Sequence, residues 1–360
     1  TGIVGSYESI YAPKEQSWLG KPGRPWNPGL VIYALADGGF AVWDPARNYW
    51  KRKGNVDIQD RVPAYVFSPK NVWDGLRVPV DGKPTQVCNG LVADWASWIR
   101  EDRNDAKRMA SVLTILGPIG GNDSLKPGDG FARLSVNDAR DIPTVRMGYE
   151  QDVPILYASL GVRRITALAY MMSWAWREHL IASKQLAQQP SSRVVMLFDE
   201  IEAHLHPRWQ RAIVPALLQV VQTLTDDAGA SVQLIAATHS PLVLASVEPQ
   251  FDADTDAWFD IDLEDGDVLL RNRPYVRLGE VGNWLVSEAF DLKEPRSLEG
   301  EHAVIVATAI LSADKPSLAE IEEANRQLSD AGLPDIDPFW VRWDYFVEQA
   351  RKANAPGGGP

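Results

Sequence analysis

The sequence has 360 residues, a net charge of −12 at pH 7, 45% hydrophobic residues and 23% charged residues. These proportions are ordinary for a globular protein, and the length predicts about two domains. The acidic balance argues against a surface devoted mainly to nucleic acid, and the longest apolar runs are too short to span a bilayer. The single cysteine, Cys88, excludes an internal disulfide and a cysteine-built metal site, which favours a reducing cytoplasm.

The first half of the chain predicts loops, a hairpin and a helical segment. Residues 1–29 are rich in Gly, Pro and Trp and predict a loop. Apolar runs at 30–36 and 40–43 flank the turn Asp37-Gly38-Gly39 and predict a β-hairpin. The mixed charges from Arg100 to Arg108 predict a solvated helix face. The remaining patterns predict a strand at 65–67, a helix at 91–116, a loop at 118–130, and strands at 131–134 and 144–147.

From Gly161 onward the pattern is typical of an α/β domain. Residues 161–179 predict a helix, and Val194–Phe198 is a continuous apolar run of the kind found in buried parallel strands. A helix is predicted to begin at Pro207 and a second buried strand to cover 232–237. The rest predicts β structure at 256–279, helices at 297–311, 318–331 and 338–352, and a flexible tail at 355–360.

Two adjacent acids, Asp199 and Glu200, end the strand Val194–Phe198. Ligands of open α/β sheets bind at the carboxyl ends of the strands, so both acids are candidate site residues. The arrangement resembles a Walker B motif, which implies that Asp199 holds Mg²⁺ through water and that Glu200 is the general base for the attacking water. The simpler interpretation is a strand that ends in a polar turn.

The segment after these acids carries a family resemblance. It reads Ile201-Glu202-Ala203-His204-Leu205-His206-Pro207-Arg208-Trp209-Gln210. This string resembles the D-loop region of prokaryotic ABC-type ATPases, which are ATP-binding proteins of the AAA family related to SMC and RecF proteins and to OLD and Septu-type defence ATPases. The resemblance places Glu202, Ala203 and His204 in the D-loop. It implies an α/β fold with a P-loop NTPase core of the ABC type, in which helices flank a mixed, partly parallel sheet. An antiparallel β portion and a C-terminal helical extension complete that fold.

His239 follows the second predicted buried strand and precedes Ser240-Pro241. In the same family a histidine at this place is the switch histidine, which contacts the γ-phosphate and senses hydrolysis. An imidazole suits that role because it can donate a hydrogen bond to phosphate near neutral pH. Ser240 and Pro241 also form a good helix start, so His239 could be incidental to a helix cap.

The turn from Ala158 to Ile165 resembles a shortened ABC signature. The resemblance implies that Ser159, Gly161, Arg163 and Arg164 bind the γ-phosphate of ATP held by the opposite subunit. Free N–H groups at a helix start attract an anion, and arginines in a first helical turn oppose the helix dipole unless an anion is bound. The alternative is a Ser-capped helix whose arginines pair with Glu150 or Asp152.

No G-x-x-x-x-G-K-[ST] motif occurs, and the glycines from Gly117 to Gly121 lack the following Lys and Ser/Thr. The expectation is a fragment that begins after the P-loop and is inactive alone; the alternative is a degenerate fold that has lost phosphate binding. The predicted organisation is a remainder of the N-terminal ATPase lobe at 1–150, a lobe with signature, Walker B and switch histidine at 151–295, and a helical extension at 296–360.

The resemblance implies ATP and Mg²⁺ as cofactors, an ATP-driven head-to-tail homodimer, and control of a partner nuclease or other effector in a DNA-related process such as anti-phage defence. DNA stays open as a partner although the charge does not indicate it, and no membrane contact is expected. Two other functions stay open: a non-catalytic scaffold for a partner nuclease, and a metal-dependent hydrolase with ligands among Asp199, Glu200, His204, His206 and His239. The acids between 252 and 267 are too closely clustered for a fused Toprim nuclease.

Overall fold

The computed structural model describes residues 9–12, 17–20, 27–48, 64–80, 82–117, 125–225, 230–313 and 316–353. The described chain divides into two compact units, Thr1–Gln250 and Phe251–Pro360. This division does not coincide with the predicted limits at 150 and 295, and the three-part organisation stays a prediction. The predicted tail at 355–360 lies outside the described residues.

Twelve strands are described in the first unit. They are β1 (Ser9–Ala12), β2 (Ser17–Gly20), β3 (Leu30–Ala34), β4 (Phe40–Trp43), β5 (Tyr65–Phe67), β6 (Leu76–Val80), β7 (Lys83–Cys88), β8 (Lys126–Ala132), β9 (Ile142–Arg146), β10 (Asp152–Pro154), β11 (Arg193–Phe198) and β12 (Ser231–Ala236). The helices described in this unit are α1 (Pro45–Asn48), α2 (Pro69–Asp74), α3 (Leu91–Arg100), α4 (Asn104–Leu116), α5 (Leu160–Gln185), α6 (Pro207–Gln210), α7 (Ile213–Thr225) and α8 (Pro241–Val247).

The main sheet has the strand order β12-β11-β3-β4-β5. Strands β3, β11 and β12 run parallel, whereas β4 and β5 continue the sheet antiparallel. The predicted hairpin is the β3–β4 pair, and Gly38 has a φ of 89° in its turn, a backbone conformation that glycine adopts without strain. The mixed sheet with flanking helices confirms the predicted fold class.

Helix α5 is the central packing element of the first unit. Ser159 caps it by accepting a hydrogen bond from the Val162 N–H, and most side chains along its 26 residues are buried. It contacts α4, α7 and β3, so one apolar helix joins the sheet to the other helices. The predicted helix at 161–179 is confirmed and extended by this longer element.

A buried polar link fixes the far end of α5. The Asp44 carboxylate, directly after β4, lies 2.7 Å from His179 Nδ1, and both side chains are 2% exposed. His179 Nε2 accepts the Ser191 N–H at 2.9 Å, so both ring nitrogens are engaged. Asp44 also accepts from the Ala46 N–H and from Arg47 Nε. These contacts connect β4, α5 and the segment that leads into β11.

Several predicted element limits were wrong. The helix predicted for 91–116 is two helices, because the chain turns between α3 and α4, where Asp102 has a φ of 43°. The helix beginning at Pro207 likewise ends at Gln210, and α7 begins at Ile213. The predicted loop at 118–130 lies partly outside the described residues, and its end belongs to β8. Within 1–29, β1 and β2 pair antiparallel where a loop was predicted.

Strand β12 was predicted to be buried, but it lies at the edge of the main sheet. Ile235 is 53% exposed there, and Ala236 and Ala237 are exposed as well. An apolar composition predicts that a strand packs against something, but it does not predict its position in the strand order. In the part of the chain that the structure describes, no helix is both long and apolar enough to cross a membrane.

The second unit contains a hairpin and a group of helices. Its elements are β13 (Trp258–Glu264), β14 (Asp267–Arg273), α9 (Val281–Leu285), α10 (Leu298–Leu311), α11 (Leu318–Asp330) and α12 (Phe339–Ala353). Helices α10 to α12 bury a core of their own around Trp343, whose side chain is fully buried. The predicted β structure and C-terminal helices are therefore confirmed.

Candidate functional site

The two predicted acids lie where β11 leaves the sheet. The Asp199 N–H donates to the Ala34 carbonyl at 3.0 Å, so the backbone of Asp199 still follows β3. Glu200 then turns away with a φ of 49°, and its side chain is exposed whereas Asp199 is half-buried. A positive φ at a non-glycine residue is uncommon and persists only where surrounding contacts hold it. The turn places consecutive carboxylates at the carboxyl end of one parallel strand.

The loop after these acids, residues 199–206, is a series of tight turns. The Ala203 N–H donates to the Glu200 carbonyl, and the Leu205 N–H donates to the Glu202 carbonyl, both at 2.9 Å. His204 also has a positive φ, of 62°, and its side chain is exposed. These bonds hold the loop in a defined shape although much of it faces solvent.

The loop after β12, residues 237–241, lies beside this first loop. The Ile201 N–H donates to the Ala237 carbonyl at 3.1 Å. The Glu202 carboxylate accepts two further bonds, from the Thr238 hydroxyl and from the His239 N–H, both at 2.6 Å. His239 itself is exposed, and among the described residues its imidazole makes no hydrogen bond. The ring is therefore available to a ligand while its backbone is fixed.

The start of α5 packs directly on the loop at 199–206. A Cβ added at Gly161 would lie 2.8 Å from the His204 carbonyl oxygen, a distance that real Cβ atoms essentially never show. Only glycine therefore allows this approach without displacement. Ser159 and Leu160, just before Gly161, are exposed. The helix start is thus anchored on one side and open to solvent on the other.

The two predicted arginines point to different surroundings. The Arg163 guanidinium stacks on Trp73, with its carbon 5.1 Å from the ring centroid. Arg164 donates to the carbonyls of Leu35 and Ala36 and, at 3.5 Å, to that of Glu200. Burial lowers the pKa of Arg164, while Asp37 and the acids at 199, 200 and 202 act in the opposite direction. Arg164 thus contacts the acidic site of its own subunit.

The alternative pairing of these arginines with Glu150 or Asp152 is not observed in the described residues. Asp152 instead accepts from Arg146 Nε at 2.6 Å and from the Asp129 N–H at 2.8 Å. An open cleft lies between α5, the β3–β4 turn and the loop at 199–206. Its lining includes Trp73, Arg163, Arg164 and His204. Among the described residues, Arg163 Nε is buried in this region without a hydrogen-bond partner.

The metal-hydrolase alternative finds no support. Within the described ranges no three His, Cys, Asp or Glu side chains lie close enough together to hold a metal ion. His206 instead caps α6 by accepting the Arg208 N–H. A magnesium site needs less, because Mg²⁺ keeps several waters and uses one or two protein carboxylates besides phosphate oxygens. The half-buried Asp199 carboxylate, which makes no hydrogen bond or ion pair among the described residues, fits that requirement.

The structure brings most of the predicted site residues together. Asp199, Glu200, the loop residues Glu202 to His204, Gly161 and Arg164 share one region at the carboxyl edge of the sheet, and Glu202 bonds to His239. Sequence reasoning included Gln210 in the D-loop-like string but did not predict its contacts: it donates to the Leu205 carbonyl at 2.9 Å and accepts from the Ser240 hydroxyl at 2.8 Å. Sequence reasoning also missed Trp73 as the partner of Arg163. The Gln210–Ser240 and Arg163–Trp73 contacts join residues distant in sequence, and no local pattern indicates them.

A mixed α/β sheet with acids and a histidine following adjacent parallel strands is an arrangement of the P-loop NTPase fold class. The chain belongs to a family within that class: the profile described as "AAA domain, putative AbiEii toxin, Type IV TA system" matches residues 11–245. This match covers well over half of the chain and confirms the predicted AAA-type ATPase family.

Relatives named as retron and Septu proteins share part of the sequence. The "Retron Vc95 probable ATPase" of Vibrio cholerae serotype O1 biovar El Tor is 32% identical over 115 residues, which are 32% of this chain and 20% of that protein. The "Septu protein PtuA" of Bacillus thuringiensis is 32% identical over 130 residues, or 36% of this chain and 28% of that protein. The chain thus matches less than a third of the length of these relatives.

One solved structure is described as "Structural biochemistry of ATP-driven dimerization and DNA stimulated activation of SMC ATPases". Its alignment covers 50% of this chain and 90% of the chain in that structure. The sequence identity is 14% and the TM-score is 0.31.

Proposed function

We propose that this chain provides the hydrolytic part of a Mg²⁺-dependent ATPase that acts as a head-to-tail dimer and controls a partner effector. The observation that carries the proposal is the joined pair of loops after β11 and β12. Together they hold Asp199, Glu200 and His239 at one edge of the sheet. The names of the relatives, probable ATPases among them, support the same activity.

Each of these three side chains suits one part of the chemistry. Asp199 offers the oxygen ligand for Mg²⁺, which when bound neutralises the charge of the phosphates. Glu200 is exposed beyond the strand end, and its carboxylate can accept a proton from the attacking water. The His239 ring can donate a hydrogen bond to a phosphate oxygen, because its hydrogen-bonding capacity is unused among the described residues.

The start of α5 supports a role across a dimer interface. Its inner side is fixed by the approach of Gly161 to His204 and by the bonds of Arg164. Its outer side presents Ser159 and the 61% exposed Leu160 to solvent. We propose that Ser159, Gly161 and Arg163 bind the γ-phosphate held by the other subunit, since a helix start attracts anions. Arg164 is assigned instead to its own subunit's acidic loop.

We further propose that a phosphate-binding loop is supplied by sequence outside residues 1–360, because these residues contain no G-x-x-x-x-G-K-[ST] motif. Residues 1–360 alone are then expected to bind ATP weakly. We also propose a cytoplasmic setting and an effector chain as partner, in anti-phage defence. The three predicted parts, at 1–150, 151–295 and 296–360, remain our proposal for the functional organisation.

The test is ATP turnover by the complete protein and by its Glu200→Gln variant. Loss of the general base should lower turnover by about 100-fold or more while nucleotide binding is preserved. Turnover that is unchanged in the variant would overturn the assignment of Glu200. Wild-type protein that assembles with its partner but never hydrolyses ATP would favour the scaffold function instead.

Mixed dimers test the interface. Ser159→Arg should abolish ATP-driven dimerisation and turnover while leaving ATP binding by the monomer intact. Mixing this variant with Glu200→Gln should leave at most one competent composite site in each heterodimer. A simple helix cap predicts only a stability loss of about 1 kcal/mol and no effect between subunits. Unchanged sedimentation with ATP and unchanged turnover would exclude the interface role of Ser159.

A further inference from the structure

The carboxylate of Glu202 lies in the loop after β11 but makes its bonds to the loop after β12. One oxygen accepts the Thr238 hydroxyl and the other accepts the His239 N–H, each at 2.6 Å. The Thr238 hydroxyl oxygen in turn accepts the Ser240 N–H at 3.0 Å. A single side chain thus fixes three consecutive residues around the candidate switch histidine. Bonds to an ionised acceptor are stronger than neutral ones, so this contact is well suited to hold an exposed loop.

Two other contacts join the same loops, but they stop short of His239. Ile201 bonds to the Ala237 carbonyl through its backbone. Gln210 reaches Ser240 through its side-chain oxygen. Among the described residues, Glu202 alone bonds directly to His239. Removal of its carboxylate would therefore leave the two loops adjacent while releasing the backbone of the histidine.

The loop at 199–206, which carries Glu202, also contacts the start of α5. His204, two residues after Glu202, presents its carbonyl oxygen to Gly161 at a distance that no side chain could occupy. Arg164, five residues after the exposed Ser159, attracts the Glu202 carboxylate electrostatically and bonds to the Glu200 carbonyl. A displacement of the helix start must therefore move this loop, and the loop in turn holds His239.

We propose that Glu202 is a positioning residue that sets the orientation of His239 and couples it to the start of α5. The inference rests on the proposed function, because it assigns His239 to a phosphate and the helix start to the opposite subunit. It goes further in naming the physical link between these two sites. In the coupled state, an anion at the helix start and a correctly placed His239 stabilise each other.

The first experiment measures the link itself, independently of ATP. Amide hydrogen exchange is followed at single-residue resolution in residues 1–360 and in the variants Glu202→Ala, Glu202→Gln and Glu322→Ala. Glu202→Ala should accelerate exchange at His239 and Ser240 by about tenfold or more, because their acceptors are lost or freed. Exchange at Ala237 should not change, since its N–H donates to the Phe198 carbonyl.

Two variants control this measurement. Glu202→Gln keeps one acceptor oxygen of the same reach, so it should give intermediate exchange. Glu322, exposed on α11 in the second unit, is a matched carboxylate whose removal should change none of these amides. Equal acceleration at all three positions of the loop would indicate general unfolding and would overturn the specific role. Unchanged exchange at His239 in Glu202→Ala would overturn the inference whatever the ATPase activity.

The second experiment measures turnover in the complete protein. Glu202→Ala should lower kcat for ATP by about tenfold with little change in KM, and Glu202→Gln should recover part of the loss. Full turnover in Glu202→Ala, while Glu200→Gln is inactive, would overturn the positioning role but leave the proposed function intact. Absence of turnover in the wild type would overturn the proposed function and this inference together, and the exchange data would still report whether the contact exists.

Coupling to α5 is tested by a double-mutant cycle. Gly161→Ala should accelerate exchange at His239, and this effect should disappear in a Glu202→Ala background because the link is already broken. Additive effects of the two substitutions would exclude a connection from Gly161 through Glu202. A thermal melt of each variant identifies any loss of folding.

Discussion

The first unit contains two carboxylate–histidine pairs that differ in which part of the histidine is bonded. In the buried pair, Asp44 contacts the His179 ring, whose other nitrogen accepts the Ser191 N–H. In the exposed pair, Glu202 accepts the backbone N–H of His239. The ring of His179 has no hydrogen-bonding capacity left, whereas the ring of His239 keeps both nitrogens available among the described residues. The same residue types thus form a structural cross-link in one place and a candidate binding group in the other.

Burial explains why the two pairs have different costs when they are broken. When one member of a buried pair is removed, the other member stays buried without a partner or water, which is strongly destabilising. A half-exposed carboxylate such as Glu202 can be replaced by water. Substitution of Asp44 is therefore expected to lower stability strongly and to have no specific effect on the chemistry. Substitution of Glu202 is expected to affect the chemistry and to lower stability only a little.

The largest effect is expected for Asp44→Ala, which leaves the His179 ring and Arg47 without this acceptor. The free energy of unfolding should fall by about 3–5 kcal/mol. Glu202→Ala should cost about 1–2 kcal/mol. Urea denaturation of both variants in parallel measures the difference. Equal losses would show that burial does not separate the two pairs.

A smaller effect is expected for Gly161→Ala, because the added Cβ meets the His204 carbonyl oxygen. Overpacking of this kind costs about 1–3 kcal/mol. Gly130→Ala is the matched control, since a Cβ added at Gly130 meets no atom within 4 Å. The melting temperature of Gly161→Ala should therefore be lower than that of Gly130→Ala. An unchanged melting temperature in Gly161→Ala would mean that the loop at 199–206 moves at little energetic cost.

The smallest effect concerns acid pH and Asp44. Burial alone would raise the pKa of Asp44. Hydrogen bonds from His179 and the Ala46 N–H, together with the charge of Arg47, lower it by more than burial raises it, so the pKa lies below its usual value. The unfolded chain then binds this proton first as pH falls, and the stabilisation present above about pH 4 is lost through the folded pKa. The stability difference between wild type and Asp44→Asn should shrink below pH 4. A constant difference from pH 6 to pH 3 would contradict the shift.

The sequence predicted the strand ends and failed on contacts between distant residues. The apolar run Val194–Phe198 predicted a buried parallel strand, and the two predicted acids follow directly after that strand. The link between Asp44 and His179 joins residues 135 positions apart and had no local signal beyond a histidine on an apolar helix. The edge position of β12 was missed for the same reason, because strand order is set by pairing rather than by composition.

The candidate site shows the same division. Asp199 and Glu200 were candidate site residues because they follow a predicted strand, and the candidate role of His239 came from the family resemblance. The contacts of Arg164 depend on the tertiary fold, since its carbonyl partners at 35 and 36 come from a turn 128 or 129 residues earlier in the chain. Sequence patterns thus identify which residues can do chemistry, whereas the packing decides which neighbour each of them serves.

The length of α5 has a mechanical consequence. Its 26 residues form a rod of about 39 Å. His179, held by Asp44, lies nineteen residues after Leu160, a separation of about 28 Å along the axis. With His179 as the fixed point, a tilt of only about 5° would move the helix start by about 2.5 Å, enough to make or break a hydrogen bond. The buried histidine, far from the candidate site, thereby sets the pivot for any tilt of the N-terminal end of the helix.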